Sequence, residues 1–139
     1  MINLVKNLEI KIDDTVFLAT LQEAQAPKTC KAVLNLLPLE GEVFHATWSG
    51  DMLFFKCRKI PTQFEPENQT VYPSRGDVAL NSNLQELQIV YGQAQLRARF
   101  GPAPDNLFAR ITENLKGLEE VGKRIHREGA KRITIKSVS

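Results

Sequence analysis

The sequence is poor in the side chains that most often bind metals or act as nucleophiles. Its 139 residues include two cysteines, Cys30 and Cys57, and two histidines, His45 and His126. No Cys-x-x-Cys and no His-x-x-x-His spacing occurs, so we expect no metal site, and nothing points to a cofactor. Isolated cysteines of this kind are typical of inert thiols in a reducing compartment, and we expect one or both to be buried.

Long apolar runs and an excess of either charge are also missing. No run approaches the ~20 apolar residues of a membrane span, and Lys6, Glu9 and Lys11 interrupt the apolar core that a signal peptide would need. Eighteen basic and sixteen acidic residues give a net charge of +2, far from the basic field of a dedicated nucleic-acid-binding protein. We therefore expect a cytoplasmic protein that binds neither membranes nor nucleic acid.

What is present is an ordinary globular composition, with 42% hydrophobic and 24% charged residues. The length predicts a single domain over residues 1–139, and a domain of this size buries roughly two-thirds of its unfolded surface. No repeat, low-complexity tract or linker divides the chain. Composition thus excludes several classes of protein but selects no activity.

Alternating apolar residues predict strands along most of the chain. The predicted strands are residues 8–12, 16–21, 43–48, 52–58, 77–80, 86–91 and 95–100, with a last strand around Ile133 and Ile135. Turns are predicted at Asp13-Asp14, at Ser49-Gly50-Asp51 and at Tyr91-Gly92-Gln93. Residues 60–76 hold three prolines and predict a long ordered loop, a feature that is often functional.

Two segments have helical spacing instead. A short helix begins at Pro27 and ends before Pro38. A longer helix is predicted with Asp105 as its N-cap, an apolar stripe over residues 107–125, and Gly129 after its end. Eight short strands with two helices close most easily into a β-barrel, which leaves no exposed edge, and the helices would cover its open ends.

Several short strings, taken in order, resemble the cyclophilin barrel. They are Ala24-Gln25-Ala26-Pro27-Lys28-Thr29 at the entry to the first helix, Phe44-His45 at the start of the catalytic strand, and Lys131-Arg132-Ile133-Thr134-Ile135 in the closing strand. A closer resemblance is to a family of small, mostly bacterial cyclophilin-like proteins of unknown function. It is carried by Ala26-Pro27-Lys28-Thr29, His45-Ala46-Thr47-Trp48-Ser49-Gly50, Gly76-Asp77, Val90-Tyr91-Gly92 and Asn106-Leu107-Phe108-Ala109. The resemblance implies a mainly β fold, a closed cyclophilin-like barrel of about eight strands with two capping helices.

The chain departs from cyclophilins at the position on which their activity depends. In that family an arginine follows the Phe-His pair, whereas this chain has Ala46 there, and the family's Gln-Gly-Gly-Asp string is missing. Isomerisation needs a donor against the prolyl amide to lower a barrier of ~20 kcal/mol. Peptidyl-prolyl isomerase activity is therefore the least favoured of three hypotheses.

Polar strand faces supply the candidate residues for a ligand site. Lys56 and Arg58 share a face of one predicted strand, and Arg97 and Arg99 share a face of another. If these strands are neighbours, the cations form one wall that binds a carboxylate or phosphate through bidentate arginine contacts. His45 is the candidate catalytic residue, because imidazole is the natural general base near neutral pH. The alternative is a set of ordinary solvated strand faces.

Residues at the predicted turns complete the candidate site. Trp48, Ser49 and Tyr91 would border the cationic wall and contact a ligand, although each also has an ordinary structural explanation. Asn106, at the predicted start of the long helix, would either donate to a ligand or cap the helix.

Two hypotheses of different classes lead. The first is a barrel that binds a small anionic metabolite, and the sequence does not decide whether it also transforms that molecule as an enzyme. The second is a non-enzymatic peptide-binding or self-assembly module, with an extended segment held between the barrel and residues 60–76. In that case Phe44, Phe54 and Phe64 would supply a self-association surface. A homo-oligomer is expected in either case.

Overall fold

Strands dominate the computed structural model, which describes residues 6–138. Residues 1–5, part of the stretch tested for a signal peptide, and residue 139 lie outside the described residues. The strands are β1 (Asn7–Ile12), β2 (Thr15–Leu21), β3 (Leu39–His45), β4 (Gly50–Lys56), β5 (Gln69–Thr70), β6 (Asp77–Asn81), β7 (Glu86–Ala94), β8 (Arg97–Ala98), β9 (Gly101–Pro102), β10 (Asp105–Ile111) and β11 (Lys131–Val138). The helices are α1 (Pro27–Leu36) and α2 (Leu115–Glu128).

Eight of these strands close into an antiparallel barrel. Their order is β2-β1-β11-β3-β4-β7-β6-β10, and β10 returns to β2 where residues 109–111 pair with residues 19–21. The short β5 adds to the free half of β10, and β8 and β9 form a separate two-stranded hairpin. The prediction of a mainly β, closed barrel of about eight strands with two helices is confirmed.

Alternation along the strands decides what lies inside. In β1, for example, Leu8, Ile10 and Ile12 are buried while Glu9 and Lys11 are not. The interior joins the buried faces of both helices in one hydrophobic core, to which α1 contributes Cys30 and Val33 and α2 contributes Leu118, Val121 and Ile125. Each such large apolar side chain contributes about 1.5–3 kcal/mol by leaving water. The buried faces of both helices are therefore part of the same core as the barrel interior.

The long helix predicted from Asp105 is wrong in its first half. Residues 105–111 form strand β10, and α2 begins only at Leu115, after Asn114 in a left-handed conformation. All residues of β10 except Arg110 are buried. A strand buried on both faces is a continuous apolar run, which periodicity alone cannot tell from a helix. The predicted end at Gly129 is confirmed, since its N–H donates to the Ile125 carbonyl.

The boundaries of four predicted strands are also wrong. Trp48 lies in a 3-10 turn over Thr47–Ser49, because the chain folds back when the Ser49 N–H donates to the Ala46 carbonyl. Arg58 lies beyond the end of β4, in a turn closed by the Ile60 N–H on the Cys57 carbonyl.

Strand β7 continues through the predicted turn at residues 91–93 as far as Ala94. The predicted strand 95–100 is reduced to the two residues of β8. Here the Leu96 N–H pairs with the Val71 carbonyl instead of a barrel strand, so the segment folds over the outer wall. The loop predicted at 60–76 is present, apart from β5. No helix within residues 6–138 is long and apolar enough to cross a membrane.

Candidate functional site

Buried polar side chains form a row across the outer wall of the barrel. The register places Lys56 of β4 beside Glu86 of β7, and Glu86 beside Asn81 of β6. Asp105, the first residue of β10, continues the row, and Gln88 lies on the same face as Glu86. Only 1% of Glu86, 2% of Gln88 and 5% of Asp105 is exposed. Such burial is unusual for charged groups and makes this row a candidate site.

The Gln88 amide in this row is only half satisfied. Its Nε2 donates to Glu86 Oε1 at 3.0 Å, while its Oε1 is buried and accepts no hydrogen bond within residues 6–138. Lys56 Nζ lies 3.4 Å from Glu86 Oε2 and also donates to the Leu84 carbonyl at 2.9 Å. A buried acceptor without a donor costs about 1–3 kcal/mol. This part of the wall therefore has acceptors in excess of donors.

Asp105 is a buried carboxyl group with no cation beside it. No Lys, Arg or His side chain of residues 6–138 forms an ion pair with it. Burial raises the pKa of Asp105 to about 7; the charge of Glu86 adds to the increase, and hydrogen bonding by Gln88 opposes it. At neutral pH the group is thus divided between acid and carboxylate, a state suited to proton transfer or to pairing with a cation.

Asp105 also lines a polar cavity of about 330 Å³, where the β6–β7 turn meets the loop. The lining residues are Thr62, Gln63, Phe64, Pro66, Gln69, Leu80, Asn81, Ser82, Asn83, Pro104, Asp105 and Asn106. Most of them carry amide or hydroxyl groups, and Phe64 adds an aromatic surface. The volume falls within the range of small-molecule sites, roughly 300–1,000 Å³.

Two polar side chains hold the loop wall of this cavity in place. Glu67 accepts the Thr29 N–H and the Thr29 hydroxyl, both at 2.8 Å, and the Lys28 N–H at 3.2 Å. It thereby caps α1, whose N-cap residue Ala26 has no side-chain cap. Asn106 donates to the Glu65 carbonyl at 2.9 Å and accepts the Glu67 N–H at 3.2 Å. Asn106 thus ties the loop to β10, and its predicted place at the start of a helix is wrong.

An open groove of about 770 Å³ lies between the end of the loop and the end of β7. It is lined by Ser49, Tyr72, Pro73, Ser74, Arg75, Gly92, Gln93, Ala94 and Gln95. Arg97 lies at its rim, where its Nη1 donates to Gln95 Oε1 at 2.8 Å and its N–H donates to Ser49 Oγ at 3.3 Å. Within residues 6–138, Arg97 has no carboxylate partner, and Arg75 reaches only Glu119, at 3.9 Å. Two weakly neutralised guanidinium groups therefore border one groove.

His45 and Tyr91, both predicted site residues, meet beneath α2. His45 Nε2 and Tyr91 Oη are 2.8 Å apart, and the His126 ring of α2 lies 4.5 Å from the His45 ring between centroids. Burial lowers the pKa of His45, and the neighbouring His126 lowers it further, while Asp51 opposes both. Burial likewise raises the pKa of Tyr91 to about 12, with a further contribution from Asp51.

The helix packs against this histidine cluster, in which His45 is half-buried and His126 is exposed. A Cβ at Gly122 of α2 would collide with the Tyr91 ring, so the helix and the ring are in direct contact. Neither the cavity nor the groove includes His45, Tyr91 or His126. His45 Nδ1 is buried and unpaired among the described residues. The geometry gives a proton-sensitive contact between barrel and helix, and the catalytic role of His45 stays a prediction.

The predicted cationic wall does not assemble. It required the strand of Arg97 and Arg99 to neighbour β4, but β8 pairs only with β9 in the described chain. Lys56 pairs with Glu86 on the wall, and Arg58 leaves it with the turn after β4. Arg99 lies on the exposed hairpin, 5.8 Å from the centroid of the Phe100 ring. Among the predicted cations, Arg97 borders the groove together with another predicted residue, Ser49.

Trp48 belongs to an exposed aromatic patch that also contains Phe44 and Phe54. The ring centroids of Phe44 and Phe54 are 5.6 Å apart, and those of Trp48 and Phe54 are 5.4 Å apart. Phe64 lies elsewhere and packs against the main core. At the position of the cyclophilin arginine, Ala46 is fully buried in a small apolar cluster with Met52, so it presents no donor at the surface.

Sequence reasoning missed Glu86, Gln88 and Asp105. The signal for the first two is a carboxylate and an amide at alternate positions of an otherwise apolar strand, Glu86-Leu87-Gln88-Ile89-Val90. Asp105 was hidden by the erroneous helix. Both cysteines are free and buried, as expected, and burial raises the pKa of the Cys30 thiol to about 11. Residues 6–138 contain no group of three or more His, Cys, Asp or Glu side chains placed to hold a metal.

Comparison with known proteins identifies a family and a fold. A family model described as "Protein of unknown function (DUF3830)" matches residues 8–137. No curated protein matches the chain. The solved structure of McbB in complex with tryptophan is similar, with a TM-score of 0.78 and 20% identity over 93% of this chain. The chain spans only 44% of that protein.

A second similar structure is the hypothetical protein AF2241 from Archaeoglobus fulgidus. Its TM-score is 0.69 at 21% identity, and the match covers 95% of this chain and 94% of that one. At these identities both likenesses describe the fold.

Proposed function

The chain belongs to the DUF3830 family of proteins of unknown function, and we propose that it binds a small anionic molecule in the groove at the end of β7. The observation that carries this proposal is the pair of guanidinium groups, Arg75 and Arg97, at one groove that also contains the Ser49 hydroxyl. Arginine suits carboxylate and phosphate because its planar fork donates two parallel hydrogen bonds.

Two further features support a ligand at this place. Beyond Val90, whose carbonyl accepts the Gly76 N–H, β6 no longer accompanies β7, so the groove runs along an unaccompanied strand end. McbB, 44% of which is matched by this chain, has been solved in complex with tryptophan, a small molecule that carries a carboxylate. A small-molecule complex of a protein with this fold is compatible with the proposal.

The test is a thermal-shift and calorimetric titration with inorganic phosphate and with small mono- and dicarboxylates. A ligand at 100 times its dissociation constant stabilises the fold by about 2.7 kcal/mol, which is an easily measured shift. Arg97→Ala and Arg75→Ala should abolish most of this stabilisation. Arg132→Ala removes the same charge from β11, where Arg132 pairs with Glu40, and should not. The proposal fails if no anion stabilises the protein or if all three variants respond alike.

The exposed aromatic patch favours a second candidate function, self-assembly. Phe44 and Trp48 are 42% and 49% exposed, which is unusual for adjacent aromatic side chains on a soluble surface. Sedimentation of the wild type and of Trp48→Ala would separate this candidate from the first, since only a self-assembling surface changes mass with the substitution. The oligomeric state and the cytoplasmic location stay predictions.

A further inference from the structure

The cavity beside Asp105 is a second site, of opposite character to the groove. We propose that this cavity binds a small molecule through a protonated nitrogen, an amine or an amidine, that donates hydrogen bonds to the Asp105 carboxylate. The proposal does not depend on the groove, which shares no lining residue with the cavity.

The charge of Asp105 points to a cationic ligand. An ionised carboxylate that is 95% buried is costly unless a cation or several donors compensate it. The basic side chain of the row, Lys56, is already engaged by Glu86 and by the Leu84 carbonyl. Glu86, which faces Asp105 from β7, adds negative charge. The protein thus lacks the cation that this position needs, and a ligand can supply it.

The hydrogen-bond donors and acceptors of the buried row point to the same kind of ligand. Gln88, between the two carboxyl groups, gives its Nε2 to Glu86 and leaves its buried Oε1 without a donor. The one buried atom of the row that lacks a partner among residues 6–138 is therefore an acceptor. An ammonium or amidinium group carries several N–H donors and no acceptor, so it is the complement of this arrangement. A carboxylate or phosphate would add acceptors and negative charge.

The size and lining of the cavity also suit such a ligand. About 330 Å³ accommodates a small organic molecule, and the loop wall is fixed by the bonds of Glu67 and Asn106 described above. Phe64 and the prolines on the lining offer apolar surface in the same cavity as the acid. A compact ring that carries one basic nitrogen suits both the acid and this apolar surface.

The experiment uses three probes that share a ring and differ in charge: benzylamine, benzyl alcohol and benzoate. Each is titrated into isotope-labelled protein at pH 8, and amide shifts are followed by NMR. Benzylamine should shift residues 80–83 and 105–106, and bind at least tenfold more tightly than either other probe. Its affinity should fall as the pH is lowered from 8 to 6, because Asp105 takes up a proton in this range.

Two variants test the assignment independently. Asp105→Asn keeps the shape but removes the charge, and should weaken benzylamine at least tenfold. Asn83→Trp blocks the cavity from an exposed turn without touching the buried row, and should abolish binding of all probes. Asp14→Asn removes an exposed carboxyl and should change nothing. Equal binding of benzylamine and benzyl alcohol, no shift at these residues, or unchanged affinity in both cavity variants would overturn the proposal.

Discussion

The groove and the cavity differ in how they hold charge. Around the groove the guanidinium groups of Arg75 and Arg97 are open to water. Their charges therefore carry little desolvation cost, and solvent screens their attraction for an anion. At the cavity Asp105 and Glu86 are almost fully buried, and burial changes the chemistry of the acid itself. An exposed charge attracts many ligands of opposite charge with little selectivity. A buried and uncompensated charge selects a ligand that supplies the missing opposite charge.

The histidine cluster beneath α2 offers a useful contrast with the cavity. Within residues 6–138 two buried side-chain atoms lack a hydrogen-bond partner, Gln88 Oε1 and His45 Nδ1. Gln88 lies beside a residue that lines a cavity, while His45 is covered by a helix. The Gln88 deficit therefore lies next to a cavity, through Asp105, whereas His45 lines neither the cavity nor the groove.

The largest expected effect concerns the pH dependence of stability. The folded protein holds the Asp105 proton more tightly than the unfolded chain, whose Asp pKa is ~3.9. The free energy of unfolding should therefore decrease as pH rises from about 4 to about 7, by up to about 4 kcal/mol. Asp105→Asn should flatten this slope and make the protein more stable than the wild type at pH 8. Urea denaturation from pH 4 to 8 measures it.

Loss of the loop anchor should have the next largest effect. Glu67→Ala removes three hydrogen bonds to the start of α1 and should lower the free energy of unfolding by about 2 kcal/mol. Glu65→Ala is the matched control in the same segment, because its ion pair with Lys28 is exposed and worth little. Equal losses in the two variants would mean that Glu67 does not anchor the cavity wall.

The smallest effect is expected at the histidine cluster. The folded protein binds a proton at His45 less tightly than the unfolded chain, so stability should fall as pH drops below about 6.5. The loss should be the smallest of the three because the ring is only partly buried. His126→Gln removes a neighbouring cation and should move the imidazole titration of His45, followed by NMR, to higher pH. An unchanged titration would contradict the proposed effect of His126 on the pKa of His45.

The fold was accessible from the sequence because strict alternation, as in β1, marks which face is buried. Where alternation fails, prediction failed: β10 is buried on both faces and was taken for a helix. The groove was only partly accessible, since Ser49 and Arg97 were chosen for their chemistry but their proximity depends on a hairpin that leaves the barrel. The acid row was out of reach, because Glu86 and Asp105 are distant in sequence and meet only through the strand order β7-β6-β10.

The most direct test of the account is a two-probe NMR titration of the labelled wild type at pH 8, with phosphate and benzylamine added separately and then together. Two sites of opposite preference predict two separate sets of shifts. Phosphate should move Ser49 and residues 92–95, benzylamine should move residues 80–83 and 105–106, and neither should displace the other. A common set of shifted residues, or mutual displacement, would contradict the division of the barrel into an anion groove and an amine cavity.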